Sequence, residues 1–154
     1  MFAPCNSVGY PTIARLPPRS GRQANMVDPM QPSVSKRPVV LIVEDETLIR
    51  MNAIEMIEAD GFEVIEATGA DDAILILEQR SDIRLIFTDI DMPGSMDGLK
   101  LAHFVRGRWP PIKIIATSGH AKIAESDLPE GSRFLVKPYA AATITRTIHQ
   151  LMRP

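Results

Sequence analysis

The chain has 154 residues, 45% of them hydrophobic, which is enough for one packed domain with an appendage and too few for two. Lys and Arg number 17 against 19 Asp and Glu, and a net charge of -2 carries no global footprint of a nucleic-acid binder. The single cysteine, Cys5, excludes a disulfide framework, no apolar run approaches the ~20 residues that span a bilayer, and the N-terminus lacks a signal-peptide core, so the expected setting is the cytoplasm, away from membranes.

Residues 1–38 hold seven of the 13 prolines, with Arg15, Arg19, Arg22, Lys36 and Arg37 against the single acid Asp28. Such a stretch buries too little apolar area to offset chain entropy, and it reads as a disordered, basic, Pro-rich tail. A solvated extension, a dock for an acidic partner and a start at Met26 or Met30 are all compatible with it. From Val39 to Pro154 the balance reverses to 18 acids and 12 bases, and a folded domain is expected.

The pattern from Val39 is short apolar runs alternating with longer amphipathic segments, as in a parallel sheet with crossover helices. Val39 to Val43 is an unbroken apolar run, the mark of a strand covered on both faces. Thr47 to Asp60 carries Ile49, Ala53, Met56 and Ile57 at helical spacing and stops at Gly61. Phe62 to Ala67 alternates as an edge strand, and Thr68 to Arg80 forms a helix with Ala73, Ile74 and Leu77 inward. Ile83 to Thr88 is the third strand. After the Met92-Pro93-Gly94 turn, Asp97 caps a helix whose face is Leu101, Ala102, Val105 and Trp109, ended by Pro110 and Pro111. Ile112 to Thr117 is the fourth strand and Ala121 to Leu128 a short, weak helix cut off by Pro129 and Gly131. Arg133 to Val136 is the fifth strand, and Ile144, Ile148, Leu151 and Met152 mark a last helix. The expectation is an α/β, doubly wound five-stranded parallel sheet with five helices on its two faces.

Ligands of such sheets bind beyond the carboxyl ends of the strands. Those ends are Glu44-Asp45-Glu46, Asp89-Ile90-Asp91, Thr117-Ser118 and Lys137-Pro138. Gathered carboxylates repel unless a cation neutralises them, and Mg²⁺ suits one or two carboxylates while keeping positions for waters and phosphate oxygens. Lys137 and Thr117 then stand as a point charge and a hydroxyl facing a phosphoryl group. Asp89, following the most apolar strand, is the expected nucleophile, and Asp91 offers a backbone carbonyl two residues on. Each feature alone is commonly a solvated turn or a strand terminus; their ordered coincidence at four strand ends carries the reading.

Residues 39–154 resemble the receiver domain of two-component response regulators. The resemblance rests on Glu44-Asp45, on Asp89 in Thr-Asp-Ile-Asp-Met-Pro-Gly, on Met96-Asp97-Gly98, on Thr117 and on Lys137-Pro138, all in order. It implies the flavodoxin-like strand order 2-1-3-4-5 and phosphorylation of Asp89 from a sensor histidine kinase or a histidine phosphotransfer protein. It further implies Mg²⁺ held directly by Asp45 and Asp89, through water by Glu44 and by the main-chain oxygen of Asp91. Lys137 would pair with Asp89, and Thr117 with Phe134 would form the switch that alters a surface for a downstream protein. Phe134 stands where this family often has tyrosine. With no output domain expected after Pro154, the signal would leave through protein contact. An Mg²⁺-dependent phosphohydrolase of the Asp-x-Asp type is the alternative, although such enzymes place the motif on their first strand.

Overall fold

The computed structural model describes residues 37–120 and 122–154; of the tail expected at 1–38, residues 1–36, with Cys5, Met26 and Met30, lie outside the described residues. The elements run β1 (Val39–Val43), α1 (Thr47–Ala59), β2 (Glu63–Ala67), α2 (Ala70–Gln79), β3 (Ile83–Asp89), α3 (Gly98–Arg108), β4 (Lys113–Ser118), β5 (Arg133–Val136) and α4 (Ala141–Met152). All strand pairs are parallel and the sheet order is β2-β1-β3-β4-β5.

The order follows from burial. All five residues of β1 are buried, as are all but Arg84 in β3, so these strands must lie inside the sheet with helices over both faces. Side chains alternate across it. Val39, Leu41 and Val43 pack with Ala73 and Leu77 of α2 and with Leu101, Ala102 and Val105 of α3, whereas Val40 and Ile42 pack with Ala53 and Ile57 of α1 and Ile144 and Ile148 of α4. The register of β1 on β3 slips by one residue between Val39 and Val40, which pairs Val40 with Leu85 and leaves Arg84 exposed in a central strand. Among the described residues no helix is long and apolar enough to cross a membrane.

The expected helix over Ala121 to Leu128 is corrected: its described residues hold only a 3-10 turn at Glu125–Asp127, so four α-helices stand among the described residues rather than five. Pro129 disfavours helical backbone at Leu128 and Gly131 adopts a left-handed φ of 81°, leaving too short a run to nucleate a helix. The turn is held instead by side chains. Asp127 Oδ2 accepts from the Ala124 amide at 2.9 Å, His103 Nε2 of α3 lies 2.8 Å from the Asp127 carbonyl, and Leu128 is buried against the α2–α3 core.

Candidate functional site

The carboxyl ends of β1, β3, β4 and β5 point the same way and carry Glu44 and Asp45, Asp89, Thr117 and Lys137 at or next to them. Glu44 follows the fully buried β1 and is itself buried, because its amide donates to the Ala67 carbonyl of β2 at 3.2 Å and keeps the chain in the sheet one residue past the strand. Asp89 closes β3 and is also buried. Together with the more open Asp45, these two place carboxylate oxygens within 4.8 Å of one another. Lys137, directly after β5, donates from Nζ to Glu44 Oε2 at 2.9 Å and lies 3.2 Å from Asp89 Oδ1. Its partner is thus Glu44 as well as the Asp89 expected from the sequence.

Burial raises the Asp89 carboxyl above its ordinary value against the opposing charge of Lys137. Burial likewise raises Glu44, opposed by the Lys137 hydrogen bond and reinforced by the charge of Asp89. A carboxyl with a raised folded pKa binds more protons folded than unfolded, so its contribution to stability falls as pH rises from its unfolded value through its folded one. Asp89→Asn is therefore expected to stabilise the full chain against urea at pH 7 in EDTA. The gain should shrink as pH falls through the folded pKa of Asp89 toward the ordinary 3.8. A gain that grew on acidification would reverse this assignment.

Three hard oxygen donors crowded around one point, with two of their protonation equilibria pushed toward the neutral form by burial, suit a small divalent cation with oxygen ligands. Beside them Thr117, near the end of β4, is buried with no hydrogen-bond partner for its Oγ1 among the described residues. A buried hydroxyl left unsatisfied costs about 1–3 kcal/mol. Its place at the sheet end fits an oxyanion supplied by a ligand.

Asp91 departs from the others. Its amide donates to Asp89 Oδ1 at 3.3 Å, while its carboxylate lies outside the three-oxygen cluster and accepts a hydrogen bond from Ser118. Phe134 is half-buried against the α2–α3 core and sits opposite Ala116 in the β4–β5 register, with Leu135 opposite Thr117.

Two residues support the site from outside the strand ends: Arg50, which carries no site signal in the sequence, and Gly98, which stands in the Met96-Asp97-Gly98 motif without its packing role being legible there. Arg50 of α1 is 11% exposed and donates from Nη1 to the Glu44 carbonyl and from Nε to Glu66 Oε2, both at 2.9 Å, which fixes the turn after β1. Gly98 opens α3 where Asp97 Oδ1 caps the Lys100 amide at 2.8 Å, and a Cβ on Gly98 would stand 1.8 Å from the Asp89 carbonyl oxygen.

Next to Lys137, a recess of about 440 Å³ is lined by Leu48, Ile49 and Asn52 of α1 and by Pro138 and Tyr139. Leu48 and Met51 stand exposed on the same helix.

Residues 40–149 match the family described as the response regulator receiver domain. Over 117 residues the chain is 32% identical to the sensor kinase CckA of Brucella abortus (strain 2308), covering 73% of this chain and 12% of that protein. It is 29% identical over 116 residues to the response regulator receiver protein CpdR of the same organism, covering 73% of this chain and 95% of CpdR. Among solved structures, the receiver domain of the hybrid histidine kinase CckA superposes with a TM-score of 0.63 at 31% identity, covering 75% of this chain and 99% of that one. The chain spans between about an eighth and about half the length of the first curated relatives it matches.

Proposed function

Because the chain belongs to the response regulator receiver domain family, we propose that it is a phosphoacceptor of two-component signalling, in which Asp89 takes a phosphoryl group from a phosphohistidine. The observation that carries this reading is the setting of Asp89. It is buried, lies 3.2 Å from the Lys137 ammonium, and pairs in register with Thr117, whose buried hydroxyl has no hydrogen-bond partner among the described residues.

In the proposed step an Asp89 carboxylate oxygen attacks phosphorus, the P–N bond of the phosphohistidine breaks, and the leaving imidazole keeps the bonding pair and a proton from solvent. Lys137 holds Asp89 ionised in a buried site and then faces the transferred oxygens, while Thr117 donates its free hydroxyl to one of them. Glu44, Asp45 and Asp89, with the Asp91 main-chain oxygen, would hold Mg²⁺, which supplies charge neutralisation for the phosphoryl oxygens. Thr117 and Phe134 form the switch, Thr117 moving toward the phosphoryl group and Phe134 repacking. The exposed Leu48 and Met51 beside the recess at Lys137 offer an apolar seat for the histidine kinase or phosphotransfer protein, whose imidazole must reach Asp89.

The domain works in the cytoplasm and transmits through contact with a downstream protein; the only reaction it catalyses is its own phosphorylation and dephosphorylation. CpdR, nearly all of which is covered by this chain, is by its name a receiver protein. An Asp-x-Asp phosphohydrolase would need Asp91 as its general acid at the leaving group. The Asp91 carboxylate is instead engaged by Ser118.

The test is intact-mass analysis after incubation with acetyl phosphate. One phosphoryl adduct is expected in Mg²⁺, and none in EDTA or in Asp89→Asn. An adduct that survives Asp89→Asn would move the acceptor elsewhere, and continuous release of phosphate from many organic phosphates would favour the hydrolase.

A further inference from the structure

Asp91 lies two residues past Asp89, close enough for its amide to reach Asp89 Oδ1, yet its carboxylate lies outside the cluster of Glu44, Asp45 and Asp89 oxygens. Ser118 Oγ, at the end of β4, donates to Asp91 Oδ2 at 2.5 Å. Ser118 is fully buried, and its oxygen accepts from the His120 amide at 3.0 Å. The hydroxyl has one proton, and with the amide directed at its oxygen that proton can only serve the carboxylate. The bond therefore has one sense, and the donor is held by the sheet on one side and by the following turn on the other.

Charge explains why such a clasp matters. Glu44, Asp45 and Asp89 bring three negative charges, which Lys137 and one divalent cation balance. A fourth carboxylate turned inward would leave the pocket net negative toward an incoming phosphoryl dianion, while adding an oxygen ligand that strengthens cation binding.

We propose that Ser118 is a positioning residue for phosphoryl acceptance, its hydroxyl holding the Asp91 carboxylate out of the Asp89 pocket so that Asp91 turns only its main chain to the phosphoacceptor. The inference rests on the phosphoacceptor reading above.

Ser118→Ala removes the hydroxyl without adding bulk to a buried site. Its adduct formation from acetyl phosphate in Mg²⁺ is expected to slow at least threefold, and its Mg²⁺ affinity by calorimetry to tighten at least threefold. In an Asp91→Asn background, where no charge is released, Ser118→Ala should change neither quantity by more than twofold. Asp91 is exposed, so that background keeps the fold. The inference is overturned if Ser118→Ala leaves both quantities within twofold of the wild type, or if its effects persist undiminished with Asp91→Asn, which would assign them to the His120 amide or to packing. Should the wild type itself take no phosphoryl group, the acceptor reading falls, and the Mg²⁺ affinities alone still decide whether Ser118 restrains Asp91.

Discussion

Replacing Gly98 by alanine is expected to destabilise the domain by about 3 to 5 kcal/mol, beyond the ordinary range for one added methyl group. Helix propensity alone predicts the opposite sign, since alanine in a helix is favoured over glycine by up to about 1 kcal/mol. Contact decides the matter. A Cβ at Gly98 would meet the Asp89 carbonyl oxygen at 1.8 Å, the Asp89 carbonyl carbon at 2.6 Å and Ile90 Cα at 2.7 Å. All three are main-chain atoms and cannot rotate away as a side-chain tip could. Their own positions are fixed as well, because Ile90 donates to the Thr117 carbonyl at 2.9 Å and accepts from the Gly98 amide at 3.0 Å. The start of α3 must therefore withdraw from the end of β3. Urea unfolding should show a lower midpoint at an unchanged m-value, and the melting temperature should drop by roughly 10–20 °C. The same displacement moves Asp89, so the surviving folded protein should take up phosphoryl groups more slowly. A stability within 1 kcal/mol of the wild type would show that α3 yields easily, and would remove the packing reason for glycine there.

Lys137→Met, which keeps the length of the stem, is expected to lower stability in EDTA at pH 7 by about 2 to 4 kcal/mol and to suppress phosphorylation of Asp89. Burial works against the ammonium, but the hydrogen bond to Glu44 and the charges of Asp89 and Glu44 outweigh it and raise its pKa. Its contribution is thus fully present below the ordinary 10.5 and is lost as pH climbs through the folded value. Without it two buried carboxylates face each other with no cation. The loss is bounded because Glu44 and Asp89, already raised, can take up a proton instead. Two signatures separate this from simple loss of packing: the deficit should shrink as pH falls toward the ordinary carboxylate range, and millimolar Mg²⁺ should recover more stability in the variant than in the wild type. A deficit independent of both pH and Mg²⁺ would make Lys137 a packing residue only.

The fold was legible wherever burial on both faces forces an unbroken apolar run. Val39–Val43 lies where the composition places it, and the strand ends carry the charged residues together because a parallel sheet sends all its carboxyl ends the same way. Boundaries moved where a local bond intervened. The helix expected from Thr68 begins at Ala70 because Asp72 Oδ2 reaches back to the Thr68 amide at 3.1 Å. The strand expected from Ile112 begins at Lys113 because the Ile112 amide closes a turn on the Trp109 carbonyl at 3.0 Å. Among the described residues of the helix expected over Ala121 to Leu128 only a 3-10 turn forms, because its apolar residues are too few to offset Pro129 and Gly131, and the local Asp127 bond together with contacts from His103 and the core shapes what stands there. What could not be read at the site were contacts between distant segments: Arg50 on the Glu44 carbonyl, Ser118 on Asp91, and the close approach at Gly98. Each depends on where one element lands on another, and neither periodicity nor motif encodes that.

The sheet's two outer strands bear on how the protein behaves at high concentration. An open strand edge is a ready template for another chain's backbone, and proteins blunt it with brevity, charge and proline. Here β5 is only four residues long and runs straight into Lys137 and Pro138, whose ring nitrogen has no hydrogen to donate to a growing ladder. At the opposite edge β2 carries Glu63 and Glu66, engaged by Arg80 and Arg50. Lys137, which lies between Glu44 and Asp89 in the candidate site, thus also helps close one flank to cross-β growth, so concentrated solutions of the folded domain should resist thioflavin-positive aggregation.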